Sequence, residues 1–286
     1  MTYFLDPNLE IGQVKLRVSH LDTSLAFYQE VVGLRVVERT EGTAALAAAD
    51  SQTPLLLLEQ IPNAVKLPRR SAAGLYHFAI LLPNRKALGL SLRNLIRSGI
   101  HIGSSDHLVS EALYIADPDN NGIEIYADRP RSAWQYEASG HVKMATIPLD
   151  GDSLLAEAGD AEWNGLPEGT KIGHIHLHVS DLRETEAFYN GVLGFDIVAK
   201  YGDSALFISA GGYHHHIGLN SWAGAGAPLA PSNAAGLDYF TVQFSDAEQL
   251  NHTLERLQSK GVAPSQLKDG AWIVHDPSGI AIHLVI

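Results

Sequence analysis

An internal repeat is the feature of this sequence that most limits its possible folds. The segment from Ile11 reads IGQVKLRVSHLDTSLAFYQEVVGL, and 161 positions later the segment from Ile172 reads IGHIHLHVSDLRETEAFYNGVLGF. Each copy begins with apolar residues at every second position, which predicts a β-strand. A capping residue and apolar residues four positions apart follow, and they predict a short helix. The two halves of the chain are therefore expected to share one fold.

A weaker similarity divides each half again. GLYHFAI from Gly74 corresponds to GLDYFTV from Gly236, and each opens a predicted strand that leads to a predicted helix. Each half then ends in a turn and a strand, beginning at Asp117 and at Asp276. The pattern predicts an α+β chain of four βαβββ units in two tandem halves.

The boundaries of the halves follow from composition. We expect an N-terminal half over residues 1–130, a linker with one short helix over residues 131–170, and a C-terminal half over residues 171–286. A single unit has one curved sheet face to bury, so we expect the units to pair face to face. Such a pair would leave a concave cavity that could hold a small ligand.

Composition excludes several classes of function. The 286 residues have a formal net charge of −12, which argues against binding to nucleic acid. There is no cysteine, so a metal site must use nitrogen and oxygen ligands. No apolar run approaches the roughly 20 residues that span a bilayer, so we expect no membrane partner. We also expect a cytoplasmic protein and a homo-oligomer.

Histidines and one glutamate mark the candidate site in the second and third units. Alternation along GLYHFAI predicts that His77 shares a face with Leu75 and Ala79. Glu124 lies on an otherwise apolar closing strand, where a carboxylate is costly unless it is paired or binds a cation. In the third unit, one strand face carries His174, and a run of three histidines follows Tyr213.

These residues resemble the vicinal oxygen chelate superfamily, which includes glyoxalase I and the type I extradiol dioxygenases such as catechol 2,3-dioxygenase. The extradiol enzymes have a motif that leads to a glutamate ligand. Its counterparts here are His107, Leu113-Tyr114, Asp117-Pro118 and Glu124. Ser105 and Asn120 depart from the usual pattern, and the motif lies in the second unit, whereas many relatives have it in the fourth.

The resemblance implies a glyoxalase/bleomycin resistance/extradiol dioxygenase fold with a metal centre. The metal would be Fe(II), with Mn(II) as the alternative, because both accept two histidines and one carboxylate. The implied metal ligands are His77, Glu124 and His174. The implied catalytic residues are His215, the better match to the acid/base histidine of the family, His214, Tyr114 and His107.

Neither half alone contains two histidines and a carboxylate at the ligand positions. We therefore predict that the second unit pairs with the third across the halves, and that the first and fourth form a pair without a metal site. The alternative pairs the first unit with the second and gives Gln13, His77 and Glu124, as in glyoxalase-like sites. A third possibility is a chain that has lost its metal.

The predicted activity is extradiol cleavage of a small aromatic diol with dioxygen, in the catabolism of aromatic hydrocarbons. The alternatives are a metal-dependent isomerase or lyase of the glyoxalase type, and a non-catalytic protein that binds aromatic ligands. The ring substituents of the substrate cannot be inferred from the sequence.

Overall fold

The computed structural model describes residues 5–286, and the four predicted βαβββ units are present. The first unit comprises β1 (Glu10–Val18), α1 (Leu21–Ala26), β2 (Arg35–Arg39), β3 (Thr43–Ala47) and β4 (Leu56–Gln60). The second comprises β5 (Gly74–Leu81), α2 (Arg85–Ser98), β6 (Gly103–Asp106), β7 (Ser110–Ala116) and β8 (Gly122–Asp128). A 3₁₀-helix (Arg131–Ala133) and α3 (Gly151–Ala158) follow. The prediction of an α+β fold is confirmed.

The second half repeats this order. The third unit comprises β9 (Lys171–His178), α4 (Leu182–Glu186), β10 (Asp196–Tyr201), β11 (Ala205–Ser209) and β12 (Ile217–Asn220). The fourth comprises β13 (Gly236–Gln243), α5 (Ala247–Ser259), β14 (Ser265–Gln266), β15 (Trp272–His275) and β16 (Ala281–Val285). The two short helices α1 and α4 continue as π-helical segments, Phe27–Val32 and Ala187–Leu193, and end at Gly33 and Gly194.

The strands form two eight-stranded sheets, and each sheet takes one unit from each half of the chain. One sheet has the order β14-β15-β16-β13-β1-β4-β3-β2, so it joins the fourth and first units. The other has the order β10-β11-β12-β9-β5-β8-β7-β6 and joins the third and second units. The predicted pairing of the second unit with the third is therefore correct, and the pairing of the first with the second is wrong.

The manner of pairing differs from the prediction. The units do not pack face to face; they join edge to edge, through antiparallel hydrogen bonding of their first strands, β1 with β13 and β5 with β9. The physical reason is that an unpaired first strand exposes a row of backbone donors and acceptors, which another strand satisfies. Each pair of units thus shares one continuous sheet.

The predicted linker packs onto the fold. Leu154 of α3 is fully buried, and α3 lies against α2. The proposed domain boundaries at residues 130 and 171 stay a prediction, and each sheet takes strands from both sides of them. Within residues 5–286, no helix is both long and apolar enough to cross a membrane.

Two buried tyrosine–aspartate hydrogen bonds tie the two sheets together. The Tyr28 hydroxyl in the first unit donates to Asp117 in the second, with an oxygen–oxygen distance of 2.9 Å. The Tyr189 hydroxyl in the third unit donates to Asp276 in the fourth, at 3.3 Å. Each aspartate begins a tight turn and accepts backbone N–H groups of that turn, so the same carboxylate fixes a turn and a contact between sheets.

The Asp276→Asn substitution should change how stability depends on pH. Burial raises the pKa of Asp276 to about 6. This folded-state pKa lies above that of an unfolded aspartate, which is about 3.9. The protonated carboxyl group therefore contributes its full stability below about pH 4, and this contribution is lost as the pH rises through 6. Asparagine retains an oxygen for the N–H groups of Ser278 and Ile280 but does not ionise.

We expect the free energy of unfolding of the variant, relative to the parent, to increase between about pH 4 and pH 7. Urea denaturation at a series of pH values measures this difference. Asp152→Asn, at an exposed position of α3, is the control and should give a pH-independent difference. Parallel stability curves for Asp276→Asn and the parent would contradict the account.

Candidate metal centre

Three adjacent strands bring the predicted metal ligands together. His77 lies on β5, Glu124 on β8 and His174 on β9, and β5 is hydrogen-bonded to both of the other strands. Ala79 of β5 pairs with Glu124 on one side and with His174 on the other. Paired residues point to the same face of a sheet. The small Ala79 side chain therefore leaves space between the two ligands.

Two β-bulges adjust this arrangement. Between the pairs Leu75–Leu177 and His77–His176, β5 has one extra residue, Tyr76. A bulge places consecutive residues out of strict alternation. Leu75 accordingly packs against the main core, while the Tyr76 ring lies 5.0 Å from the His77 ring. The prediction that Leu75 shares a face with His77 is therefore wrong.

The second bulge lies at Gly173 of β9, between the pairs Ala79–His174 and Ile80–Ile172. A Cβ atom on Gly173 would lie 1.8 Å from the hydroxyl oxygen of Tyr126, so only glycine fits at this position. The bulge lies immediately before His174. In the second copy of the repeat, the sequence Ile172-Gly173-His174 thus sets the position of the predicted ligand His174 on β9.

The ligand atoms converge on one carboxylate oxygen. Oε2 of Glu124 lies 3.0 Å from Nε2 of His77 and 3.1 Å from Nε2 of His174. All three side chains are buried, with exposures of 7%, 3% and 1% for His77, Glu124 and His174. Among the residues that the structure describes, this is the one group of three or more histidine, aspartate or glutamate residues that could hold a metal ion. Its potential ligand atoms all lie within 4.8 Å of one another.

The ionisation of these groups suits a divalent cation. Burial alone would raise the pKa of Glu124, but the neighbouring His174 and His77 outweigh it and hold the pKa well below its usual range. Burial lowers the pKa of His174 to about 4, so its imidazole is neutral near pH 7. An ionised carboxylate and a neutral imidazole are the ligand forms that metals require, so Glu124 and His174 fit a metal cofactor, and His77 adds a second imidazole beside them.

Tyr114 and His107 lie beside this cluster. Tyr114 of β7 is paired with Glu124 of β8, and burial and the charge of Glu124 raise its pKa well above the usual value. Nδ1 of His107 lies 2.7 Å from the carbonyl oxygen of Ala145, to which it donates. Nε2 of His107 lies 2.6 Å from the Tyr114 hydroxyl oxygen, within hydrogen-bonding range.

His214 and His215 lie in the segment between β11 and β12. The ring of His215 is 4.1 Å from the ring of His174, measured between centroids. Burial and the neighbouring His174 and His214 lower its pKa well below the usual value. Nδ1 of His215 is 2.8 Å from Nδ1 of His214, and Nε2 of His214 is 2.9 Å from Oδ1 of Asp128.

The cluster opens into a cavity of about 510 Å³. Its walls combine the candidate site residues with aromatic side chains: Tyr76, His77, His107, Tyr114, Glu124, His176, Tyr201, Phe207, His215 and Trp222. A volume of this order suits a small organic ligand. Of the seven residues that we predicted, six line the cavity or lie among the ligands, and His214 lies behind His215, at 1% exposure.

Sequence reasoning missed Asp128, Tyr76 and Trp222. Asp128 lies four residues after Glu124 on the same strand, and this even spacing is a signal that could have found it. Tyr76 could not be assigned to the cavity without knowledge of the bulge. Nothing near Trp222 in the sequence indicates its position.

The equivalent positions in the other sheet have different chemistry. Nζ of Lys15 lies 2.5 Å from Glu59 and 3.2 Å from Asp238, as expected for a cation that reaches a carboxylate. The rings of Tyr239 and His283 stack 3.7 Å apart. That this sheet binds no metal stays a prediction.

Comparison with known proteins decides the family. A model of the Glyoxalase/Bleomycin resistance protein/Dioxygenase superfamily matches residues 10–125 and 171–284. The chain belongs to this superfamily. It is 54% identical over 277 residues to catechol-2,3-dioxygenase of Bacillus subtilis strain 168, an alignment that covers 96% of this chain and 97% of the relative. The family that the motif ending at Glu124 predicted is confirmed.

More distant relatives support the same fold. Manganese-dependent 2,3-dihydroxybiphenyl 1,2-dioxygenase of Geobacillus genomosp. 3 is 25% identical over 103 residues, which are 36% of this chain and 30% of that protein. Glyoxalase I of Zea mays superposes with a TM-score of 0.57 at 15% identity, covering 97% of this chain and 92% of that structure. A structure described as a dioxygenase of Bacillus subtilis strain 168 superposes with a TM-score of 0.68 at 14% identity. The superposition covers 99% of this chain and 86% of that structure.

Replacing Glu124 by glutamine should remove metal binding. The variant loses the one negative ligand, so we expect the metal content after dialysis to fall from about one ion per chain to near zero. Elemental analysis measures this content. His283→Ala, at the equivalent position of the other sheet, is the matched control and should retain the metal. Metal retained by Glu124→Gln, or lost from His283→Ala, would contradict the assignment.

Enlarging Ala79 should block the same site without touching a ligand. A leucine there would fill the space between Glu124 and His174, so we expect the metal affinity to fall by roughly tenfold or more. Thr241 occupies the equivalent position in the other sheet, and Thr241→Ala should leave the affinity unchanged. Isothermal titration with a divalent metal compares the variants. An Ala79→Leu protein that binds metal as tightly as the parent would contradict this geometry.

Proposed function

We propose that this protein cleaves the ring of catechol-type diols beside the two hydroxyl groups, using dioxygen, at an Fe(II) ion. His77, Glu124 and His174 would hold the ion. The observation that carries the proposal is the convergence of two buried imidazoles on one buried carboxylate, beside an aromatic-lined cavity. The 54% identity to a catechol-2,3-dioxygenase supports the same reaction and substrate class.

The donor set matches this chemistry. Two histidines and one carboxylate on one face of an octahedral ion leave three positions open, which is the arrangement of non-haem Fe(II) oxygenases. Iron bound there would supply positions for both diol oxygens and for dioxygen, and would pass electron density from the diol to the oxygen. Cleavage inserts both atoms of dioxygen and breaks one ring carbon–carbon bond.

The remaining residues act on the diol. The His215 imidazole lines the cavity and is neutral near pH 7, so it can accept a proton from a substrate hydroxyl and later return it. Tyr114 hydrogen-bonds to His107 at 2.6 Å, and the pair orients the substrate next to Glu124. The rings of Phe207 and Trp222 pack against the substrate and exclude water.

Fe(II) is proposed over Mn(II) because it suits electron transfer to dioxygen. The 2,3-dihydroxybiphenyl 1,2-dioxygenase of Geobacillus genomosp. 3 is named as manganese-dependent, and Mn(II) accepts the same ligands. The two other predicted activities, a glyoxalase-type isomerisation and binding without chemistry, consume no dioxygen, so the oxygen balance separates them from ring cleavage. Cytoplasmic location and a homo-oligomeric state are further proposals.

Catechol turnover by the iron-loaded protein tests the function. An oxygen electrode and visible absorbance should record one dioxygen consumed for each yellow ring-opened product. Replacing His215 by alanine should slow turnover by roughly 10² to 10⁴ while the metal content stays the same. His252→Ala, at an exposed position of α5, is the control and should turn over at the parent rate.

Two results would contradict the proposed function. One is metal-loaded protein that consumes no oxygen with any catechol tested. The other is His215→Ala turning over catechol at the parent rate, which would remove His215 from the mechanism.

A further inference from the structure

A chain of three polar side chains leads from the cavity to the end of β8. His215 lines the cavity, His214 lies behind it, and Asp128 ends the strand that carries Glu124. The two contacts along this chain are 2.8 Å, between the Nδ1 atoms of the histidines, and 2.9 Å, between Nε2 of His214 and Oδ1 of Asp128. Both distances are within hydrogen-bonding range.

The direction of these hydrogen bonds follows from the chemistry of each group. An ionised aspartate only accepts, so Nε2 of His214 carries a hydrogen and donates it to Asp128. In a neutral imidazole the other nitrogen is then an acceptor, so Nδ1 of His214 accepts. Nδ1 of His215 must therefore carry the hydrogen of the 2.8 Å contact. Nε2 of His215 is left with a lone pair.

The surroundings of His214 hold this arrangement in place. His214 is 1% exposed, so water has little access to its nitrogens. Its ring lies 4.1 Å from the ring of Tyr213 and 5.4 Å from that of Trp134, and the indole N–H of Trp134 donates elsewhere, to the carbonyl oxygen of Arg129. Asp128 is thus the carboxylate that sets the orientation of the His214 ring.

Nε2 of His215 takes no part in this chain of hydrogen bonds. The hydrogen bond of His215 to His214 uses Nδ1, and the His215 ring lines the cavity beside His174. A lone pair at Nε2 can accept a proton from a bound diol, whereas an N–H at the same atom cannot.

We propose that Asp128 and His214 are positioning residues that fix His215 in the tautomer with a hydrogen on Nδ1 and a lone pair on Nε2. The inference rests on the proposed function, because the value of that lone pair lies in accepting the substrate proton. It assigns a role to Asp128 that neither the sequence motif nor the metal ligands indicate.

The tautomer can be measured without turnover. Nitrogen-15 NMR of metal-free protein labelled at histidine distinguishes a protonated from an unprotonated ring nitrogen, and the signals lost in His215→Gln assign this residue. We expect His215 of the parent to have a hydrogen on Nδ1 and none on Nε2. An Nε2–H tautomer in the parent would overturn the proposal.

Asp128→Asn tests the cause. The asparagine amide can donate to Nε2 of His214, which reverses both hydrogen bonds and places the hydrogen of His215 on Nε2. We expect His215 to gain this tautomer, and kcat for catechol to fall by roughly 10² to 10⁴ with metal content unchanged. Asp128→Glu, which keeps an acceptor, should restore the tautomer and part of the activity.

Asp276→Asn is the matched control, because it makes the same change to a buried carboxylate of the other sheet. The His215 tautomer and the kcat of this variant should equal those of the parent. An Asp128→Asn protein with the parent tautomer or the parent kcat would overturn the proposal. Parent protein that shows the expected tautomer but cleaves no catechol would contradict the proposed function instead. The tautomer of His215 in Asp128→Asn would then test by itself whether Asp128 and His214 fix that tautomer.

Discussion

The antiparallel pairing of β5 with β9 is the interaction on which the candidate site depends. It places Ala79 beside His174 and His77 beside His176, so ligands from distant parts of the sequence meet on one sheet face. Neither half contains the complete set. The backbone hydrogen bonds that join the sheet edge to edge therefore also assemble the candidate metal centre, and the fold and the site are expected to be lost together if this pairing is broken.

The second sheet has the same topology, but its equivalent face has different side chains. Thr241 occupies the position of Ala79, and its hydroxyl accepts a hydrogen bond from the backbone N–H of Gln13 at 2.7 Å. Lys15 adds a cation held by Glu59 and Asp238. The candidate donors His77, Glu124 and His174 lie in one sheet, and we predict that the other sheet binds no metal.

The sequence predicted much of this because duplication and ligand chemistry leave clear patterns. The distribution of His77, Glu124 and His174 between the units predicted which units pair. The bulges at Tyr76 and Gly173 were not predicted, because one extra residue in a strand leaves little trace in the alternation of side chains. The edge-to-edge joining of units and the contact of Asp128 with His214 are tertiary features, which depend on strands and loops far apart in the sequence.

The most direct measurement is anomalous diffraction at the iron absorption edge from crystals of the iron-loaded protein. The account predicts a single anomalous peak about 2.0 to 2.3 Å from Nε2 of His77, Nε2 of His174 and a carboxylate oxygen of Glu124. A peak between Tyr239 and His283, or iron bound with none of the three predicted ligands, would contradict the claim that the second and third units build the metal centre together.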